Sequence, residues 1–251
     1  MTDGLNWRMV AEMESGRKKA FYETRGAEMG ENVRFGERSV LIGDEIEVGD
    51  NVVFERGVVL KFKKLRIGDD VRIGEETYIG SDTIEIGCDV AIGRANKIVS
   101  PERFHLGSCT NWGSAASVTC RRFEAGDFLQ FYDGVVVGKG GKFGPDSWVS
   151  IGMGCFIGAR TVLNVSESIE IGDHVGIGDE CMIWTHGAYL HVLQGFPAKF
   201  APVKIGSNVW MPARTVVLPG VTVGSNVVIG INSLVNRDIP DGAFAAGIPV
   251  R

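Results

Sequence analysis

Apolar positions recur every six residues through most of this chain. From Ile205, an aliphatic residue or Met returns at Met211, Val217, Val223, Ile229 and Val235. Gly206, Gly224 and Gly230 directly follow three of them. A small or β-branched residue stands four places after each, at Val209, Thr215, Val221, Val227, Ser233 and Ile239. A period of six fits neither a 3.6-residue helix nor the two-residue alternation of an amphipathic strand. It fits a chain wound into flat coils, with one apolar side chain entering the axis on each short face, which is a parallel β-helix of hexapeptide repeats. Three hexads close a triangular turn, so the pattern predicts coils of about eighteen residues. Ile205, Val223 and Ile229 are then expected to point inward.

The same spacing runs through Ile42, Val48, Phe54 and Leu60, slips by one, and resumes at Ile67, Ile73 and Ile79. It slips again before Ile86, Ile92 and Ile98, and returns at Ile151, Ile157 and Leu163 and at Ile171, Ile177 and Ile183. Such slips belong at coil corners. Leu106, Trp112 and Val118 keep the spacing, as do Val137, Phe143 and Val149, but the stretch between them reads as degraded. Residues 100–135 are therefore expected to form irregular coils or a junction between two stacks. About ten coils at the strand spacing of ~4.8 Å would make a prism ~45 Å long. Its two ends are exposed sheet edges that need covers. Residues 1–30 lack hexads and carry Arg17, Lys18, Lys19, Glu23 and Arg25. They are expected to form a short helix capping the first coil. The organisation read from the sequence is a cap over 1–30, N-terminal coils over 31–100, and a second block over 101–251.

Composition narrows the function classes. Net charge is −5 and the pI about 5.5, which gives no electrostatic case for nucleic acid. No apolar run is long enough to span a bilayer, and the first residues, MTDGLNWRMV, lack a signal-peptide core, so a cytoplasmic location is expected. The five cysteines include no C-x-x-C pair. Cys155 and Cys181 take the inward small position of their hexads, Cys88 falls at a corner, and Cys109 and Cys120 stand in the degraded stretch, close enough in sequence to meet. The basic run KFKKLR at 61–66 coincides with a slip. It reads as a solvated corner or as a contact for a phosphate-bearing ligand.

The register breaks once at length. Ile183 and Ile205 should be one hexad apart, yet 22 residues separate them. An excursion from a rigid coil is where loop-borne function is expected. This one, over 184–204, opens with Thr185, His186 and Gly187. It also carries Tyr189, His191, Gln194, Phe196, Lys199 and Phe200, residue types that suit a polar, ring-shaped ligand.

From His186 onward the chain resembles the hexapeptide acyltransferases. It is nearest to sugar O-acetyltransferases such as the galactoside and maltose enzymes, and to acyltransferases of surface-polysaccharide synthesis. The resemblance rests on the histidine opening the excursion, the return PVKIGSNVW, the coil PGVTVG, the coil INSLVNRDIP and the terminal AGIPVR. These motifs cover residues 183–251, whereas residues 1–100 match as β-helix only. The resemblance implies a left-handed β-helix and direct transfer of an acyl group, acetyl above all, from acyl-coenzyme A to a hydroxyl or amine of a sugar or nucleotide sugar. It also implies a homotrimer with each site between adjacent prisms, and no metal. His186 matches the general base, a task that suits an imidazole because its unperturbed pKa is near 6.5. Trp210 takes a position near the cofactor thiol, and Ala213 and Ile231 take positions along the pantetheine arm. Asn236 and Arg237 replace a Thr-Lys pair near the nucleotide phosphates. Tyr189 and His191 are the candidate acceptor contacts. The Asn that sugar acetyltransferases use before the active histidine has no in-register counterpart here, Asn164 being offset. Two other readings stay open: a non-catalytic β-helix scaffold, and a zinc enzyme like the gamma-class carbonic anhydrases, suggested by the His186–His191 spacing.

Overall fold

The computed structural model describes residues 7–138, 140–187, 193, 195 and 197–251. The chain is an all-β, left-handed parallel β-helix of about eleven turns. Three parallel sheets form the faces of a triangular prism. The first face runs from Glu28–Met29 to Thr222–Val223, the second from Arg34–Phe35 to Phe244–Ala245, and the third from Val40–Ile42 to Leu234–Val235. Ile205, Val223 and Ile229 point inward as expected, each at most 3% exposed. Among the described residues no helix is long and apolar enough to cross a membrane.

Two corners hold the hexad register without exception among these coils. Inward residues step by six from first face to second and again to third, as in Ile86, Ile92 and Ile98, or Ile171, Ile177 and Ile183. Nearly all irregularity gathers at the corner from third face back to first. There the inward positions are 7 residues apart at Leu60–Ile67 and Ile79–Ile86, 8 at Ile98–Leu106, 14 at Val137–Ile151 and 22 at Ile183–Ile205. Most coils are accordingly 19 or 20 residues long; the step from Ile205 to Val223 has the expected 18, and the last step has 16.

Residues 100–135 are regular coils, contrary to the sequence expectation. Leu106, Trp112, Val118, Ala125, Phe131 and Val137 are all inward and at most 2% exposed. The pattern was obscured because Trp112, Ala125 and Phe131 take inward positions that aliphatics hold in other coils. Phe104, Trp112, Phe123 and Phe131 pack on one another, Trp112 and Phe131 with centroids 3.9 Å apart. The buried indole N–H donates to Asn96 Oδ1 at 3.2 Å, as a buried polar group must find a partner. Phe143, which kept the spacing, is 49% exposed and lies outside the stack. Cys109 and Cys120 do not meet, because Cys109 sits at the first–second corner and Cys120 at the third–first corner. Cys155 and Cys181 are buried as read. In KFKKLR, Lys63 pairs with Asp82, Lys64 with Glu45 and Arg66 with Glu47, so the basic run is largely neutralised by neighbouring coils.

The N-terminal cap consists of two helices, α1 (Trp7–Ala11) and α2 (Ser15–Glu23). Their side chains satisfy the backbone edge of the first coil. Lys18 Nζ donates to Gly36 O at 2.8 Å and Lys19 Nζ to Gly30 O at 2.7 Å, while Ser15 Oγ accepts the Phe35 N–H and Tyr22 Oη the Leu41 N–H. Burial pushes the Tyr22 phenol up to about 12 from 10.0. The folded state therefore keeps a proton that the unfolded chain releases above pH 10. Tyr22 contributes stability that is complete below pH 10 and is lost as pH rises towards 12. Tyr22→Phe strands the buried Leu41 N–H and lowers stability at pH 8 by about 1–3 kcal/mol. Urea melts at pH 8 and pH 11 check this: wild type loses stability between them, and the variant loses distinctly less.

Candidate functional site

The third–first corner carries both long excursions, over 139–147 and 184–204, on successive parts of one column. Thr185, fully buried, fixes the root of the second. Its Oγ1 donates to Asn164 O at 2.7 Å and accepts the N–H groups of Ser166 and Glu167 at 2.8 and 3.0 Å. The chain then leaves the coil as a two-residue antiparallel pair, His186–Gly187 against Lys199–Phe200.

His186 emerges at this root, half-buried. Its Nδ1 lies 2.6 Å from Asn164 Oδ1. An amide oxygen only accepts hydrogen bonds, so Nδ1 carries a proton, and in the neutral ring Nε2 keeps the lone pair. Phe200 stacks on the imidazole, with centroids 5.7 Å apart and planes 17° from parallel, and Trp184 borders it at 6.0 Å. Gly141, from the first excursion, closes on the Nε2 edge. A Cβ there would stand 2.9 Å from Cδ2 and 3.1 Å from Nε2, so only glycine permits this approach. Ser166 ties the excursions together: its Oγ accepts the Lys142 N–H, and its carbonyl accepts from Ser147 Oγ. Lys142 pairs with Glu167 and lies over the Phe200 ring.

Gly141 was not found from sequence, and Asn164 was named there but set aside as out of register. Asn164 is offset from the acetyltransferase asparagine, but it pairs directly with Trp184 at the end of the third face. That register, one residue short of the corner, aims it at His186. The visible signal for Gly141 was the 14-residue step from Val137 to Ile151, which the apparent hexad Val137, Phe143 and Val149 concealed. Tyr189 and His191 lie outside the described residues. Of the other histidines, His105 stands beside Glu85 on the first face and His174 is exposed at the first–second corner, both away from the excursions.

The expected cofactor residues fall into two columns. Trp210 is 46% exposed on the second face, its ring lying over Gly176, where a Cβ would meet it at 2.3 Å. Ala213 and Ile231 stack at the adjoining second–third corner, where the Asn232 N–H bonds Ala213 O. Asn236 and Arg237 stand instead at the third–first corner, exposed. Arg237 Nη2 donates to Val250 O at 2.6 Å, so this side chain also fastens the C-terminal segment. In one chain the width of the third face separates Trp210 from His186. Among the described residues no three His, Cys, Asp or Glu side chains converge as a metal site.

A family profile described as "Hexapeptide repeat of succinyl-transferase" matches residues 28–61, 148–178 and 202–237. Over 123 residues the chain is 34% identical to galactoside O-acetyltransferase of Escherichia coli strain K12, covering 46% of this chain and 61% of that protein. It is 37% identical over 103 residues to galactoside O-acetyltransferase of Lactococcus lactis subsp. lactis strain IL1403, covering 40% of this chain and 50% of the relative. The chain thus spans about half to three-fifths of these curated relatives. Among solved structures, AntD, an N-acyltransferase from Bacillus cereus in complex with dTDP and 3-hydroxybutyryl-CoA, shares the fold. Its TM-score is 0.51 at 23% identity, over 59% of this chain and 80% of that one.

Proposed function

We propose that this chain, which carries the hexapeptide repeat over residues 28–61, 148–178 and 202–237, is a hexapeptide-repeat acyltransferase that moves an acyl group, acetyl above all, from acyl-coenzyme A to a hydroxyl or amine of a sugar or nucleotide-sugar acceptor. The observation that carries this reading is the 2.6 Å contact of His186 Nδ1 with Asn164 Oδ1. It leaves Nε2 as the proton acceptor at the mouth between two excursions. An acceptor hydroxyl is a poor nucleophile until its proton departs. In the proposed step Nε2 takes that proton as the acceptor oxygen bonds to the thioester carbon. The tetrahedral intermediate then collapses, the carbon–sulfur bond breaks, and the thiolate leaves with the proton returned from Nε2. Phe200 and Gly141 keep the ring in place while this happens.

Trp210, Ala213 and Ile231 suit the acyl and pantetheine end of the donor, and Arg237 its phosphates, as a charged donor to anionic oxygens. The separation of Trp210, Ala213 and Ile231 from His186 within one chain supports a site completed by a second copy, as in a homotrimer, because a flat prism face is not a pocket by itself. The free state of all five thiols agrees with a reducing, cytoplasmic setting. The test is acetyl-coenzyme A with a panel of sugars and nucleotide sugars, following free thiol. Acceptor-dependent thiol release is expected. No release with any acceptor, together with no measurable coenzyme A binding, would overturn the reading.

A further inference from the structure

The N-terminal coils hold a groove that the chemistry at His186 does not use. On the second face, Arg72, Ala91, Asn111 and Gln130 occupy consecutive outward positions of one ladder. Ala91 is the short member, and above it opens a groove of about 640 Å³ rimmed by Arg94 and Tyr132 at the second–third corner. The acids around it are already engaged: Glu55 pairs with Arg72 and accepts the Glu75 N–H, and Asp133 accepts the Ser114 N–H. Among the described residues none hydrogen-bonds the Arg94 guanidinium. Asn111 and Gln130 share one hydrogen bond at 3.3 Å, which leaves an amide carbonyl and an amino group facing out.

The same ladder continues as Phe156, Gly176 and Trp210. Tyr132 and Phe156 lie 4.9 Å apart, and Phe156 and Trp210 6.5 Å. Because the Trp210 ring lies over Gly176, it leans towards Phe156 and so towards the groove. An exposed aromatic path therefore joins the groove to the residue proposed beside the cofactor thiol.

We infer that this groove is a subsite for an extended anionic glycan, lying along the second face parallel to the prism axis, whose near end is acylated. The inference rests on the transferase reading above. The residue types match the ligand: aromatic faces stack on the apolar faces of sugar rings, amides bond hydroxyls in pairs, and a guanidinium meets carboxylate or phosphate. Length argues for a chain of several sugars. Five ladder steps separate Ala91 from Trp210, roughly 24 Å at ~4.8 Å per coil, more than a monosaccharide spans.

The test compares wild type with Ala91→Trp, which fills the groove from an exposed strand position, and Arg94→Glu, which reverses its free charge. The probes are a hyaluronan hexasaccharide, phosphorylated maltohexaose, unmodified maltohexaose and glucuronic acid. Binding is measured by calorimetry without acyl donor. At least one acidic hexasaccharide is expected to bind wild type and to bind Ala91→Trp about tenfold or more weakly, the scale of one lost anchoring contact. Arg94→Glu should weaken the acidic chains more than maltohexaose, and the carboxylate and phosphate arms identify the anion. Glucuronic acid should bind all three proteins alike. Equal binding of the acidic chains to Ala91→Trp, or no hexasaccharide binding to wild type, overturns the inference. Groove-dependent binding with neither acyl transfer nor coenzyme A binding keeps the subsite and sinks the transferase reading. Transfer to small sugars without glycan binding does the reverse.

Discussion

His186→Ala is expected to lower kcat by about 10²–10⁴-fold, the usual worth of a positioned general base, and to leave affinity for acyl-coenzyme A unchanged. In the proposed step the imidazole takes the acceptor proton only as the thioester is attacked, so its loss should fall on the chemical step and not on donor binding. The fold should survive, because the root of the excursion is held by Thr185 and not by His186. Thr185 Oγ1 makes three bonds to the coil below, whereas His186 makes one side-chain hydrogen bond there. Steady-state kinetics with saturating donor, paired with equilibrium binding of coenzyme A, separate the two effects. Near-wild-type turnover in His186→Ala, with loss in His191→Ala, would exchange the roles of these histidines.

The prism was legible in the sequence because two of its corners never vary. A step of six from first face to second and from second to third puts an apolar side chain on the axis each time, and Ile, Val and Leu announce those positions. The stretch at 100–135 was harder to see because Ala125 and Phe131 do the same work with unlike side chains. A ring needs a small neighbour to fit the same axis, and aliphatic spacing alone misses such a compensated pair. The slips looked like noise but share one corner, where extra residues bulge outward without disturbing the inward register. His186 was legible because its excursion is too long to be a slip. Asn164 was not, since its importance comes from stacking. It lies 22 residues before His186, and only the pairing of Asn164 with Trp184 brings the two corners of adjacent coils together. The shorter excursion bearing Gly141 met the same difficulty. Its approach to the imidazole depends on the coil below, and no local motif records it.

We propose Asn164 as a positioning residue for His186, and its two substitutions should part in a way that packing alone does not produce. With Asn164 Oδ1 accepting from Nδ1–H, the imidazole is held in the tautomer whose Nε2 can take a proton. Asn164→Ala frees the ring to present either nitrogen and is expected to lower kcat roughly 10- to 100-fold, by analogy with the partners that orient metal-binding histidines. Asn164→Asp keeps an acceptor at the same place but adds a negative charge next to the ring. An opposite charge at hydrogen-bond distance favours the imidazolium over the neutral ring. The base is then protonated up to a higher pH, and the acid limb of the kcat/KM profile moves in the alkaline direction. Above that limb the ring is neutral and correctly oriented, and activity returns towards wild type. A pH series of kcat/KM on wild type and both variants, with thermal melts alongside, reads this directly. If Asn164 only packs the corner, both variants lose stability in parallel and the Asn164→Asp profile keeps the wild-type acid limb, which would remove Asn164 from any part in holding the base.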